Sequence, residues 1–331
     1  MPLWDAFFLV VPLVSTAFAS FPRLFKGVRT NDLAWLLIDE AGQAAPQQAI
    51  GAIWRSKRAV IVGDPIQLEP VVSIPQELVT PLRNYCATPA KYIPPEAAVQ
   101  TMADRSNRYG TLMGSQEDGT ALWLGSPLVV HRRCINPMFQ IANAIAYENK
   151  MVYGTIDGAE LEASSSAWLD ASNEDAEGHW IEKQADRVLR GIKVLTNDAI
   201  RDDKGKLRIY VITPFKLVSE RMREMLGRRF GDETAKEMCG TVHTFQGKEA
   251  DFVIFLLGGD PSRPGVISGF AGRKPNLINV AVTRAKKRLY VIGSKAFWCS
   301  PADANGYYST MENLLSTASR ANSTASSARR R

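Results

Sequence analysis

Two short apolar runs near the start of the chain are each followed by acidic or turn residues. Residues 35–38 form the first run and lead into Asp39 and Glu40, and residues 59–62 form the second and lead into a Gly-Asp-Pro turn. Apolar runs without polar alternation are typical of strands covered on both faces, as in a parallel sheet. Between the runs, residues 46–55 carry apolar side chains at helical spacing. The pattern predicts a strand–helix–strand unit.

The same alternation returns in the second half of the chain. Helical spacing predicts helices over residues 138–147, 179–197, 216–230 and 275–284, and apolar runs predict strands over 209–212, 252–257 and 288–292. Because strands and helices alternate, we expect an α/β fold with parallel sheets.

Composition suggests where the chain divides. Residues 73–120 are rich in proline and glycine and predict a connector with short helices around 76–85 and 97–105. We therefore expect a first region over 1–124 and a second over 125–300. Residues 301–331 become Ser/Thr/Ala-rich and end in three arginines, which predicts a flexible tail.

Bulk composition restricts the possible classes. The 331 residues, 45% of them hydrophobic, suffice for one large or two ordinary domains with their own cores. Lys and Arg outnumber Asp and Glu by 40 to 34, a balance that suits a polyanion partner without requiring one. The four cysteines form no C-x-x-C pair, which argues against a metal site or a disulfide framework. We therefore expect a reducing, cytoplasmic location.

The N-terminus resembles a secretory leader, because the apolar run 7–14 is followed by Ala17-Phe18-Ala19. However, no Lys or Arg precedes the run, Asp5 stands where positive charge is expected, and Pro12 interrupts it. We therefore favour a buried strand that ends in a Ser/Thr loop over a cleaved leader. The run is also too short to span a bilayer, so we expect no membrane partner.

The acids after the first strand are the first candidates for chemistry. Carboxyl ends of parallel strands are where ligands bind in open α/β sheets. Asp39 there can hold Mg²⁺ through water, and Glu40 beside it can orient or deprotonate an attacking water. Gln67, after the second strand, can contact a terminal phosphate. An acidic helix cap and an ordinary Gly/Pro turn explain the same residues structurally.

Two later segments also carry phosphate-binding chemistry. Residues 241–251 offer hydroxyls and a histidine just before a strand. Arg284, near a helix end, can reach a phosphate as an arginine finger. The alternative for Arg284 is a basic last turn that the helix dipole favours.

Taken together and in order, the segments resemble a known family. DEAGQA at 39–44, GDPIQLEP at 63–70, HTFQGKEAD at 243–251 and NVAVTRAKKRLYVIG at 279–293 resemble motifs II, III, V and VI of superfamily 1 helicases. They look most like the 5′-to-3′ branch that contains the nonsense-mediated-decay helicase. Residues 131–137, with one inserted residue, are similar to that branch's Q-Y-R-M-H-P element. Residues 211–215 resemble its motif IV, and residues 12–20 resemble its Ser/Thr loop. The resemblance covers roughly residues 10–295.

The resemblance implies two RecA-like lobes of the P-loop NTPase class. Residues 1–124 would be the C-terminal part of the first lobe with the connector, and residues 125–300 the second lobe. It implies an ATP hydrolase that uses Mg²⁺ and moves on single-stranded DNA or RNA. Asp39 would hold the metal and Glu40 would activate water. Gln67 would contact the γ-phosphate, and Arg133 and Arg284 would reach it across the interdomain cleft. The residues implied to contact the nucleotide in the second lobe are Gln246, Gly247 and Glu249. Those implied to contact nucleic acid are Ser15, Thr16, Thr213, Thr241 and His243.

One family element is missing from the sequence. No G-x-x-x-x-G-K-[ST] phosphate loop occurs, since Gly247-Lys248 precedes Glu249 and Gly205-Lys206 precedes Leu207. We therefore expect a motor fragment, inactive in ATP hydrolysis by itself and completed by a missing N-terminal segment or a partner chain. The alternatives are a nucleic-acid-binding module without ATP hydrolysis or an inactive helicase remnant.

Overall fold

The computed structural model describes residues 2–72, 74–114, 121–155, 166–196 and 200–329. The chain forms two compact units, Met1–Pro127 and Leu128–Arg331, which are considered separately below.

Unit 1 contains the predicted strand–helix–strand segment and several short elements around it. Its elements are the helices α1 (Pro2–Val10), α2 (Phe21–Leu24), α3 (Pro46–Trp54), α4 (Gln76–Tyr85) and α5 (Val99–Ser106), and the strands β1 (Leu36–Ile38), β2 (Ala59–Ile61), β3 (Thr111–Met113) and β4 (Leu122–Leu124).

Strands β1 and β2 run parallel, with Leu36 opposite Ala59 and Ile38 opposite Ile61. On one face, Ile38 packs into a small core with Ala49 of α3 and Val99 of α5. We expected both strands to be covered on both faces, and this is wrong for the residues that the structure describes. The side chain of Leu37, which points to the opposite face, is 66% exposed.

The buried strand that we predicted over 7–14 is not formed: residues 7–10 belong to helix α1 and residues 11–14 are irregular. Trp4 and Phe8 lie four residues apart on α1 and therefore share one face, where their rings stack. Trp4 also stacks on Phe25 at 4.9 Å between ring centroids. The aromatic residues recur at helical spacing, and the contact with Phe25 partly buries the face that they form. This packing favours a helix over the strand that the continuous apolar run predicts. Leu13 beyond the helix is exposed.

Unit 2 is built on one five-stranded parallel sheet, with the strand order β7-β11-β10-β8-β9. This confirms the predicted α/β class. Its elements are the strands β5 (Val130–His131), β6 (Val152–Tyr153), β7 (Ala167–Asp170), β8 (Ile209–Thr213), β9 (Cys239–Thr241), β10 (Ala250–Leu256) and β11 (Ala285–Gly293), and the helices α6 (Met138–Ala146), α7 (Glu182–Thr196), α8 (Lys216–Phe230), α9 (Asp232–Met238), α10 (Asn276–Thr283), α11 (Lys295–Trp298) and α12 (Tyr307–Arg329).

Within residues 301–331, for which we expected a flexible tail, Tyr307–Arg329 form the helix α12. Tyr308, Met311 and Leu315 lie on one face of α12 and are fully buried. Lys295 Nζ forms an ion pair with Glu312 Oε1 at 2.7 Å. The Ser/Ala-rich composition gave no sign of this helix, because only three apolar side chains form its buried face. Within the described residues, no helix is both long and apolar enough to cross a bilayer.

Candidate functional site

The acids of unit 1 lie at the carboxyl edge of β1, beside the turn that follows β2. The two turns are in backbone contact, because Ala41 N donates to Val62 O at 2.9 Å. Glycines permit this approach: a Cβ on Gly42 would stand 2.6 Å from Asp64 O, and one on Gly63 would stand 2.7 Å from Ala41 N. The glycines therefore bring the two predicted motif strings together.

Glu40 adopts a left-handed backbone conformation, with φ at +53°. This conformation is uncommon for a residue with a side chain, and such strain is concentrated at functional sites. Its amide donates to Asp39 Oδ1 at 2.9 Å, and its Oε2 accepts from Gln43 Nε2 at 3.2 Å. The turn thus fixes the orientation of the carboxylate at the cost of local strain.

The side chain of Gln67 is hydrogen-bonded to the carboxylate of Asp64 in the turn after β2. Gln67 Nε2 donates to Asp64 Oδ2 at 3.1 Å, while Asp64 Oδ1 accepts from the Ile66 amide at 2.9 Å. Asp64 stands in the Gly-Asp-Pro turn, and its place there did not mark it as a candidate in the sequence. The structure therefore adds a carboxylate to the group formed by Asp39, Glu40 and Gln67.

These side chains fit Mg²⁺ only as a partial ligand set. Among the described residues, no group of three or more His, Cys, Asp or Glu side chains could hold a metal ion. Mg²⁺ commonly binds through one or two carboxylates, completed by water and substrate phosphates. Asp39 meets that requirement because its side chain is exposed at the strand end.

A second group of candidates lies at the amino edge of β10 and β11 in unit 2, around Glu249. Its carboxylate pairs with Lys286 Nζ at 2.5 Å, with Arg133 Nε at 3.7 Å and with Lys206 Nζ at 3.9 Å. Partial burial by itself raises the pKa of Glu249. The hydrogen bond and charge of Lys286, with the charges of Lys206 and Arg133, outweigh burial and lower the pKa below its ordinary value. Sequence reasoning missed Lys206 and Lys286, which come close only through the fold.

The turn that carries Arg133 is fixed by its neighbours. His131 Nε2 accepts from the Cys134 amide at 3.0 Å and lies 2.9 Å from Cys134 Sγ. Burial raises the pKa of the Cys134 thiol to about 12, and burial together with the Arg133 charge lowers the pKa of His131. These shifts favour the neutral forms of both side chains at pH 7, so the positive charge of this turn comes from Arg132 and Arg133.

Arg284 lies at the end of α10, with its side chain fully buried. Its Nε donates to Val280 O and its Nη1 donates to Lys248 O, both at 3.1 Å. The Ala250 amide donates in turn to Arg284 O at 3.0 Å. Arg284 is thereby attached to the loop of Gln246, Gly247 and Glu249. In that loop, Gly247 has φ at +75°, a conformation that favours glycine.

The residues predicted to contact nucleic acid fall into two places. In unit 2, Thr213 and Thr241 are register partners at the carboxyl ends of β8 and β9. Thr213 is buried and its Oγ1 accepts from the Phe215 amide at 3.3 Å, while His243 is exposed on the next turn. In unit 1, Ser15 and Thr16 lie in an exposed irregular segment after α1.

Comparison with known proteins gives the family. A family model described as AAA domain matches residues 128–296, just over half of the chain, and a second AAA domain model matches residues 13–74. The chain belongs to the AAA domain family of superfamily 1 helicases. This confirms the resemblance drawn from the motif strings.

Individual relatives of this AAA-domain chain are distant and much longer. It is 25% identical to the Regulator of nonsense transcripts 1 homolog of Neurospora crassa, over 84% of the chain and 24% of the relative. It is 22% identical to the DNA replication ATP-dependent helicase/nuclease JHS1 of Arabidopsis thaliana, over 78% and 19%. It is 23% identical to the Probable helicase senataxin of Mus musculus, over 81% and 10%. The AAA-domain chain thus spans a quarter or less of these relatives.

Solved structures similar to this AAA-domain chain include the Arterivirus nonstructural protein 10 (helicase) in complex with DNA. That match has 14% identity and a TM-score of 0.36, and covers 80% of this chain and 40% of the other. The PRRSV helicase matches with 13% identity and a TM-score of 0.36, over 78% and 34%.

Proposed function

We propose that this chain is the motor portion of a nucleic-acid helicase, in which ATP hydrolysis drives movement along single-stranded DNA or RNA. The observation that carries the proposal is the group of Asp39, Glu40, Asp64 and Gln67, gathered at one sheet edge by two closely packed turns. Family membership supports the same reading, because ATP-dependent helicases are among the relatives.

Each member of the acidic group has a distinct role on this proposal. Asp39 holds Mg²⁺ together with water and phosphate oxygens, and Glu40 orients and deprotonates the attacking water. Gln67, oriented by Asp64, contacts the terminal phosphate. The strained backbone at Glu40 supports this assignment, since a structural turn could use glycine there at lower cost.

Unit 2 contributes positive charge and strand contacts on the same proposal. Arg133 stabilises the phosphates as charge develops in the transition state. Arg284, which is fully buried, does the same once its guanidinium leaves the carbonyls of Val280 and Lys248. Gln246, Gly247 and Glu249 contact the nucleotide. The single strand is contacted by Ser15, Thr16, Thr213, Thr241 and His243.

ATP also needs a phosphate loop, and the sequence contains none. We propose that this loop comes from another polypeptide segment, either an N-terminal helicase segment or a partner chain, and that these 331 residues alone do not turn over ATP. We also propose a cytoplasmic location, supported by cysteines without a C-x-x-C pair. Cell fractionation tests the location.

The function is tested by measuring ATP hydrolysis with and without single-stranded nucleic acid. The present chain is compared with a version extended upstream to include a phosphate loop, and Glu40→Gln in the extended version serves as the matched control. We expect turnover that nucleic acid stimulates only in the extended version, and its loss in Glu40→Gln with ATP binding retained. An extended version that has the loop but shows no stimulated turnover excludes the motor. Salt-sensitive strand binding that ATP does not alter would then favour a binding module without catalysis.

A further inference from the structure

Charge is strongly segregated between the two edges of the β1–β2 sheet in unit 1. Residues 36–54 and 59–82, which contain the strands and the turns at their carboxyl edge, carry five acids and no Lys or Arg. Residues 21–35 and 55–58, which lead into the strands at the amino edge, carry six basic residues and only one acid, Asp32. Since each strand is three residues long, about 10 Å separates a positive edge from a negative one.

The two basic segments form one continuous surface. Leu33 N donates to Arg55 O at 2.9 Å, and Lys57 N donates to Leu33 O at 2.8 Å, so the parallel pairing continues below the sheet. Leu33 also forms an isolated bridge with Ser56. The surface, which we call the amino-edge patch, consists of residues 21–35 and 54–58.

Two half-exposed tryptophans stand in the amino-edge patch, each beside an arginine. Trp35 is 56% exposed and Trp54 is 53% exposed. The guanidinium of Arg58 lies 5.2 Å from the Trp35 ring centroid, and that of Arg55 lies 5.3 Å from the Trp54 ring centroid. Each pair presents a flat cationic and aromatic surface to solvent, and a nucleobase can extend such a stack.

The basic side chains of the patch are not neutralised by carboxylates. Within the described residues, none of the six forms an ion pair: Arg23, Lys26, Arg29, Arg55, Lys57 and Arg58. The acid of the patch, Asp32, accepts a hydrogen bond from the Arg29 amide at 2.7 Å. Arg55 is held in place because it donates to Val28 O and Gly51 O. The patch therefore combines exposed aromatic rings with positive charge that no ion pair compensates within the described residues.

We propose that the amino-edge patch binds single-stranded nucleic acid, by stacking bases on Trp35 and Trp54 and by placing phosphates against Lys57, Arg58 and their basic neighbours. This combination of flat rings and cations is the chemistry that recognises single strands without sequence preference. The surface lies on the opposite edge of the sheet from Asp39 and Glu40, and shares no residue with the strand contacts proposed above. It is therefore a second nucleic-acid site, independent of ATP chemistry.

The experiment measures binding of the full chain to fluorescein-labelled oligothymidine and oligouridine by anisotropy, over a salt series and without ATP. We expect Trp35→Ala or Trp54→Ala to weaken binding by roughly fivefold or more, the lower end for one lost stacked base. Trp35→Phe and Trp54→Phe keep a ring and should retain most of the affinity. Lys57→Glu combined with Arg58→Glu should reduce the slope of log K against log salt by about 1.4, for two lost phosphate contacts on a single strand.

Matched controls separate local contact from general charge and aromatic content. Arg228→Glu combined with Lys236→Glu makes the same charge change on exposed positions of unit 2, and Tyr85→Ala removes an exposed ring elsewhere in unit 1. Neither control should change affinity or slope appreciably. Circular dichroism verifies that each variant folds.

Unchanged affinity and salt slope in the Trp35, Trp54 and Lys57/Arg58 variants would overturn the proposal. The proposal would also be overturned if light scattering showed a dimer that Trp35→Ala dissociates while strand binding persists. The patch would then bind a second copy of the chain. The outcome is also separable from the motor proposal. Patch variants that lose binding while the extended chain hydrolyses no ATP would leave this inference standing and reject the motor.

Discussion

Replacing Gly42 by alanine tests whether the two turns at the carboxyl edge of β1 and β2 must touch. The added Cβ would stand 2.6 Å from Asp64 O and 3.2 Å from Asp64 C. Both are backbone atoms, so no side-chain rotation can relieve the overlap. The turn that carries Asp39 and Glu40 has to move away from the turn that carries Asp64.

The expected cost follows from two contributions. Forcing an extra methyl into a close-packed site costs about 1–3 kcal/mol. Separation of the turns also strains or breaks the hydrogen bond from Ala41 N to Val62 O, for which a net loss of about 1 kcal/mol is typical. We therefore expect Gly42→Ala to lower the free energy of unfolding of unit 1 by about 2–4 kcal/mol.

The assay is urea denaturation of the full chain, followed by hydrogen exchange of residues 36–64 as a local measure of unit 1. Gly51→Ala is the matched control, since it adds the same methyl within α3 of the same unit. That Cβ meets only Nη1 of Arg55, at 3.3 Å, and a shift of a few tenths of an ångström in this side chain relieves the contact. Because alanine is the better helix former, the control should be neutral or stabilising by up to about 1 kcal/mol. Equal unfolding midpoints for Gly42→Ala and Gly51→Ala would refute the close contact between the turns.

Three further predictions concern other parts of the chain. Glu40→Gly should be more stable than Glu40→Ala by about 1 kcal/mol in urea denaturation, because glycine alone removes the left-handed strain at φ +53°; equal stabilities would deny that strain. Cys86 is exposed, whereas burial raises the pKa of the Cys134 thiol to about 12. After brief maleimide treatment at pH 7, mass spectrometry should therefore find label on Cys86 and none on Cys134. Labelling of Cys134 in the folded protein would contradict its burial. In thermal denaturation, Leu315→Ala should lower the free energy of unfolding of unit 2 by about 2–4 kcal/mol, because Leu315 is buried, while Asn313→Ala, at an exposed position, should have little effect. Equal, negligible effects of the two changes would show that α12 is not packed on the rest of unit 2.

Local patterns in the sequence were enough to predict the elements that carry the candidate motifs. Helices α3, α4 and α8 begin at the predicted residues and end within one residue of the predicted positions. The α/β class follows from the same alternation. The place of Asp39 and Glu40 at a strand's carboxyl edge also follows, because the strand end and the acids are adjacent in the chain.

The N-terminal run and the C-terminal segment show where local patterns fail. An apolar run such as 7–14 suits a strand or a helix, and the stacking of Trp4 on Phe25 decides between them. The segment after residue 309 looks like a solvated tail by composition. Burial of Met311 and Leu315 against the rest of unit 2 makes its first part an integral helix.

The fold class, the family and the candidate chemistry at each strand end therefore follow from the sequence alone, because each of these depends on short contiguous segments. Tertiary structure alone decided which distant charges meet. Lys206, Arg133 and Lys286 surround Glu249 because strand pairing and the turn at His131 bring four separate segments to one sheet edge. The amino-edge patch likewise exists only because parallel pairing places residues 54–58 beside residues 31–35. Register and packing act between segments that are far apart in sequence, and no local pattern records them.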